Sequence, residues 1–278
     1  MENVSRDQWI LTPVGYRRRN RVVRMKKGQH ARVNPKTKQW EIIDLASRTP
    51  FPLPAHKPVP DPYNGNQDWV SYAETSSANP TPFTLCKSTW KVPGIPATYN
   101  QQAIYLFNAL QHVGSGGAAD YILQPVLVYG EYPAESGDEC DTNGKWMIAS
   151  FWVPSSDNQG PLLVSSGIKA VSPNDTVSGI IELKSNDNGS YLYDCYFDGC
   201  EETRLTVSTP FLRLCDQTLE IWGVTDRSML PADNATTFYD IQTLIGGAAA
   251  NVNWTFRGDI NCQANSPGPN QVDVIYPR

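Results

Sequence analysis

Tyr121 to Gly130 read YILQPVLVYG. The run is rich in β-branched and aromatic residues, ends at a glycine, and lacks the 3.6-residue spacing of an amphipathic helix. It reads as a buried β-strand. The stretches around it have the same character. FTLCKSTWKV (83–92), AIYLFNAL (103–110), KWMIASFWV (145–153), TVSGIIELKS (176–185), YLYDCYF (191–197), TRLTVS (203–208), LEIWGV (219–224), VNWTFRG (252–258) and QVDVIYP (271–277) are each bounded by Gly, Pro, Asn or Asp. Apolar and polar residues alternate in GIIELKS and TRLTVS, as in strands with one wet face. SNDNGS (185–190) reads as a hairpin turn, because Asn-Gly supplies positive φ. FYDIQTLIGG (238–247) is the only fair helix candidate. Many strands without interleaved helices predict an all-β fold, an antiparallel β-sandwich or jelly roll.

The charges divide the 278-residue chain in two. Residues 1–60 carry 13 Lys/Arg against 4 Asp/Glu, a net of +9. The remainder carries 10 against 24, a net of −14, and the sum is −5. The basic segment holds two short strand candidates, VVRM (22–25) and WEIIDL (40–45), separated by a polar, turn-rich stretch. TPFPLPAHKPVPDPYNGN (49–66) is dense in proline and reads as an extended linker. The chain is therefore expected to consist of a basic segment (1–60), with its linker, and a β-sandwich body (67–278). A +9 segment beside an acidic body points either to an arm for an anionic partner or to a segment that pairs with its own body. Arg17, Arg18, Arg19, Arg21, Arg24, Lys26 and Lys27 lack interleaved stacking aromatics, so no nucleic-acid partner is expected. No run is apolar enough for a membrane span, so no membrane partner is expected either.

All six cysteines (Cys86, Cys140, Cys195, Cys200, Cys215 and Cys262) lie in the acidic body. No CxxC pair occurs, which argues against a zinc ribbon. The even count favours disulfides and a secreted protein, although no signal peptide is visible. The alternative is a cytosolic chain with reduced thiols. Pairing is open, with Cys195–Cys200 the most local choice. There are three histidines, and only His112 lies in the body, where it reads as a surface-loop residue. Metal sites and a Ser-His-Asp triad are therefore disfavoured, no cofactor or metal is expected, and acid–base chemistry would fall to carboxylates. Gly114-Ser115-Gly116-Gly117 reads as a flexible connection, since no helix or Lys-Ser/Thr follows as in a phosphate loop.

Two polar residues interrupt apolar strands. Gln124 lies within YILQPVLVYG and Glu220 within LEIWGV. Burying either without partners costs about 1–3 kcal/mol. A carboxyl so placed has its pKa raised, as a general acid or base requires. The competing reading is that both side chains point outward.

The order of motifs resembles the glutamic peptidases of the eqolisin family. Ser88-Thr89-Trp90-Lys91-Val92-Pro93 is similar to a family strand ending in T-V-P. Tyr121-Ile122-Leu123-Gln124 resembles the A-I-L-Q strand of the catalytic Gln. Trp152-Val153-Pro154 is similar to W-Y-P, and Val272 to Tyr276 to the closing V-T-V-T-Y strand. Leu219-Glu220-Ile221-Trp222 corresponds to the A-E-W strand of the catalytic Glu, with one residue inserted between Glu and Trp. The likeness runs in order through residues 84–278. Ile104 to Leu110 replace the family's W-V-G-I-D strand, and Phe151 stands before Trp152 where the family has an acidic residue.

The resemblance implies a secreted, acid-acting endopeptidase made as a zymogen. Gln124 and Glu220 would be the catalytic dyad, Trp152 and Trp222 would line the substrate cleft, and the substrate would be a protein or peptide. The basic segment would be an intramolecular inhibitor released in acid. The alternative function is a lectin-like, carbohydrate-binding sandwich without catalysis, suggested by eight Trp and thirteen Tyr available for sugar stacking. The two readings differ in where they place Gln124 and Glu220: on one face for the peptidase, on opposite faces for the lectin or a structural role.

Overall fold

A computed structural model describes residues 9–13, 15–53, 69–78, 80–114, 119–130, 144–155, 160–258 and 262–277. Most of the proline-rich linker, Cys140 and residues 115–117 of the glycine-rich stretch lie outside them. Among the described residues are twenty-two strands. The basic segment contributes β1 (Trp9–Thr12), β2 (Gly15–Arg18), β3 (Val22–Arg24), β4 (Gln29–Val33), β5 (Trp40–Asp44) and β6 (Pro50–Pro52). The body begins with β7 (Trp69–Ser76), β8 (Phe83–Lys91), β9 (Ala103–Val113), β10 (Ala119–Gly130), β11 (Trp146–Pro154), β12 (Leu162–Val164), β13 (Lys169–Val171) and β14 (Thr176–Asp187). It continues with β15 (Ser190–Phe197), β16 (Cys200–Thr209), β17 (Leu214–Trp222), β18 (Ala235–Ile245), β19 (Ala248–Ala249), β20 (Thr255–Gly258), β21 (Asn265–Gly268) and β22 (Gln271–Ile275).

These strands build an all-β sandwich. A nine-stranded sheet runs β20-β7-β17-β9-β10-β11-β12-β3, with β13 beside β11. An eleven-stranded sheet runs β21-β22-β18-β8-β14-β15-β16-β4-β5-β6, with β19 beside β18. Ile104, Leu106, Leu127, Ile148, Leu219 and Ile221 of the first sheet pack on Trp90, Val177 and Phe238 of the second. At the other end Leu110, Leu123 and Trp152 meet Cys86, Ile181 and Tyr193. The hairpin of β14 and β15 turns at Asn188 (φ 50°) and Gly189 (φ 85°), the positive angles expected of Asn-Gly.

Ladders within the body are antiparallel. Among the described residues, the two parallel pairings are where the basic segment joins it. β3 extends the nine-stranded sheet beside β12, and β4 extends the eleven-stranded sheet beside β16. The segment thus supplies β3 to the edge of one sheet and the run β4-β5-β6 to the edge of the other. Covering an open edge in this way removes a template for unwanted pairing.

The helix expected over residues 238–247 is instead part of strand β18. Phe238 and Ile241 are both buried and three residues apart, which mimics helical spacing. The cause is an irregularity between Tyr239 and Gln242, with Asp240 at φ 50°. A bulge adds one residue and shifts the inward positions from a two- to a three-residue spacing. The polar stretch between Val22 and Trp40 also conceals a strand, β4, which needs β16 and β5 as partners. His112 lies in β9 rather than in a loop, with Nδ1 3.0 Å from the Phe211 carbonyl.

Candidate active site

The outer face of the nine-stranded sheet is as apolar as its inner face. Ala103, Tyr105, Phe107 and Ala109 of β9, Ile122, Val126 and Val128 of β10, and Ala149, Phe151 and Val153 of β11 form one buried cluster there. Left in water, such a surface would be strongly unfavourable. Leu11 belongs to the same cluster, and Tyr16, Val22, Trp69 and Trp222 pack against it. The β1–β2 hairpin of the basic segment therefore helps to cover this face.

Register places the polar residues on it. Glu220 pairs with Tyr105, and Tyr105 with Val128 on the next strand. Leu123 pairs with Leu110 and Val126 with Phe107, which sets Gln124 beside Ala109. Paired residues share a face, and so do residues two and four apart. Gln124 and Glu220 consequently open onto the same covered face. Each is fully buried. Neither amide atom of Gln124 has a hydrogen-bond partner among the described residues. Glu220 Oε1 accepts a hydrogen bond from the indole Nε1 of Trp222, two residues along the same strand.

The two residues are not in one row. Glu220 lies two strands away from Gln124 and four residues further along the sheet. With strands about 4.8 Å apart and a rise of about 3.4 Å per residue, their Cα atoms are about 17 Å apart on a flat sheet. Phe107 occupies the middle of that diagonal, because it pairs with Thr218 on one side and Val126 on the other. One water molecule reaches both polar heads only if the side chains lean together across the Phe107 ring.

The carboxyl in the row of Gln124 is Asp216, on the far side of Ala109. The sequence reading did not single it out. The two are about 10 Å apart at Cα, with the small Ala109 side chain between them. Asp216 is fully buried, accepts a 2.6 Å hydrogen bond from Gln111 Nε2 and a 2.9 Å bond from Thr218 Oγ1. Burial pushes its pKa up to about 7, against those two hydrogen bonds. The available signal was parity: Asp216, Thr218 and Glu220 alternate along one strand.

Trp222 joins this face and holds Glu220. Trp152, the other expected cleft residue, does not. It pairs with Leu123 and so points to the opposite side, into the sandwich. There it stacks on Tyr121 at 4.9 Å and meets Trp40 of the basic segment at 6.1 Å. Among the described residues no cluster of three His, Cys, Asp or Glu side chains is placed to hold a metal ion.

Comparison with protein families and with curated proteins finds no match for the chain. Among solved structures it is similar to scytalido-glutamic peptidase bound to a transition-state analogue inhibitor. The identity is 14%, the TM-score 0.45, and the match covers 77% of this chain and 100% of that one. It is also similar to SCP-B, a member of the eqolisin family of peptidases, in complex with the tripeptide Ala-Ile-His. There the identity is 12% and the TM-score 0.40, with the same shares covered.

Proposed function

We propose that the chain is a latent, acid-acting peptide hydrolase whose reactive surface is the outer face of the nine-stranded sheet. The observation that carries this reading is the placement of Gln124 and Glu220 on one buried face. A buried amide without a partner is unfavourable by about 1–3 kcal/mol, and a ligand atom would relieve it. Glu220, oriented by Trp222, takes a proton from the attacking water and returns one to the leaving amine. Gln124 donates its N–H to the developing oxyanion, a contribution of about 3 kcal/mol. The described form is the covered one. Cleavage in the linker and departure of the basic segment open the face, and a bound peptide displaces the Phe107 ring. A secreted setting fits this chemistry, because a carboxyl base works most naturally in acid.

A specific observation favours a second assignment of the carboxyl. Asp216 lies in the row of Gln124, and with its pKa raised to about 7 it would be deprotonated, and so able to take a proton, near neutral pH rather than in acid. The lectin-like reading is less well supported. It needs flat aromatic surfaces facing solvent, and Trp9, Trp90, Trp146 and Trp152 are all buried.

The test is hydrolysis of a denatured protein from pH 3 to pH 8 by wild type, Glu220→Gln and Asp216→Asn, with N-terminal mapping of any processed product. Incubation at pH 3–4 is expected to yield a fragment starting near residues 50–70. Removal of the true general base is expected to lower turnover by about 10²–10⁴-fold. Full activity in both variants would end the proposal. Loss in Asp216→Asn alone would move the role to Asp216.

A further inference from the structure

Five cysteines lie among the described residues, and all five are buried thiols. The sandwich brings two of them together. Cys86, on β8 of the eleven-stranded sheet, and Cys215, on β17 of the nine-stranded sheet, both point into the interior and have no solvent exposure. Their Sγ atoms are 3.0 Å apart. A disulfide bond is about 2.05 Å long, so a closure of about 1 Å would join them.

Register argues against the other partners. Cys86 and Cys195 both pair with Ile181, which lies between them in one row. Two strand spacings put their Cα atoms about 10 Å apart, beyond the roughly 7 Å that a disulfide spans. Cys200 stands opposite Phe197 and takes a hydrogen bond from Lys169 Nζ at 3.3 Å. Cys262 Sγ lies 3.2 Å from the Val70 carbonyl oxygen.

We infer that Cys86 and Cys215 form a disulfide that staples the two sheets together beneath the candidate site. Cys215 lies on the same strand as Glu220, five residues earlier and on the opposite face, so the bond fixes that strand against β8. The chemistry needs a disulfide donor such as glutathione disulfide. One cysteine thiolate attacks a donor sulfur and releases a thiol. The second thiolate then displaces the other half of the donor. Two thiols give up two protons and two electrons, and the donor disulfide is reduced to two thiols. Burial raises the Cys215 thiol well above its ordinary value, which suppresses the thiolate once the sheets have closed. The bond therefore forms before closure and is then shielded from reductant.

The test is refolding of the full chain in a reduced/oxidised glutathione buffer. Free thiols are then blocked with N-ethylmaleimide in denaturant without reductant, and the peptides are mapped by mass spectrometry. The expected result is a linked pair of peptides holding Cys86 and Cys215. Blocked Cys86 and Cys215, or Cys86 linked to any other cysteine, overturns the inference. In a second arm, Cys86→Ala, Cys215→Ala and the double variant are expected to lower Tm by the same amount. Reduction under denaturing conditions should give wild type the same loss. Additive losses would mean that the two thiols only pack independently, and would also overturn it. Neither arm depends on peptidase activity, so the disulfide and the proposed hydrolysis fail separately.

Discussion

Gln124 and Glu220 share the outer face of the nine-stranded sheet but stand on a diagonal, with Phe107 midway between them. The covered face therefore holds the parts of a hydrolytic site in a spacing that a single buried ring governs.

Phe107 is fully buried and meets Trp69 edge-on at 5.7 Å. Phe107→Ala is expected to destabilise the full chain by about 3–5 kcal/mol in urea denaturation. In the processed protein it should raise kcat on extended peptides, because the diagonal is cleared. A stability loss with unchanged kcat would assign the ring to packing alone.

Gln124→Met replaces an amide that lacks partners among the described residues with an apolar chain of similar length. The folded protein should gain about 1–3 kcal/mol, because no polar group is then left unsatisfied. Turnover should fall by about 10²–10³-fold, the usual effect of losing an oxyanion donor. Destabilisation would mean that the amide is already satisfied, and would remove the argument for its role.

Asp216 gives stability a defined pH dependence. Its folded pKa of about 7 lies above the ordinary 3.8, chiefly because of burial. The folded state therefore holds this proton more tightly than the unfolded state. The contribution is full below about pH 4 and is lost as pH rises to about 7, by roughly 4 kcal/mol at most. Asp216→Asn should flatten this part of the profile in urea midpoints taken from pH 4 to 8. An unchanged profile would show that the carboxyl titrates elsewhere.

Release of the basic segment should also depend on His30 in β4. Burial first, then Arg32, lowers its pKa below 6.5, while Glu41 opposes them. The docked strand disfavours the protonated ring, so docking weakens as pH falls through 6.5 and below. Limited proteolysis should find the segment more accessible at pH 5 than at pH 7, and His30→Gln should reduce that difference. Strand pairing and apolar packing also hold the segment, so the variant should dampen release rather than abolish it. An identical pH response in the variant would exclude His30 as a contributor.

Much of this was legible in the sequence. Strand content, the Asn188-Gly189 turn and the split between a basic segment and an acidic body are local properties of composition and spacing. They hold whichever strands become neighbours. Gln124 and Glu220 were visible too, as polar residues in apolar runs. The β18 strand was misread because its bulge gives an apolar spacing that belongs to a helix.

Tertiary structure decided which side chains meet. Trp152 and Phe151 are adjacent in sequence, yet one stacks inside the sandwich and the other lines the candidate site. Asp216 became a candidate only when cross-strand pairing put it in the row of Gln124. Cys86 and Cys215, separated by more than a hundred residues, met because two sheets closed on each other. The physical reason is the two-residue period of a strand. Sequence sets the alternation, but the register with distant partners sets which face each half of it occupies.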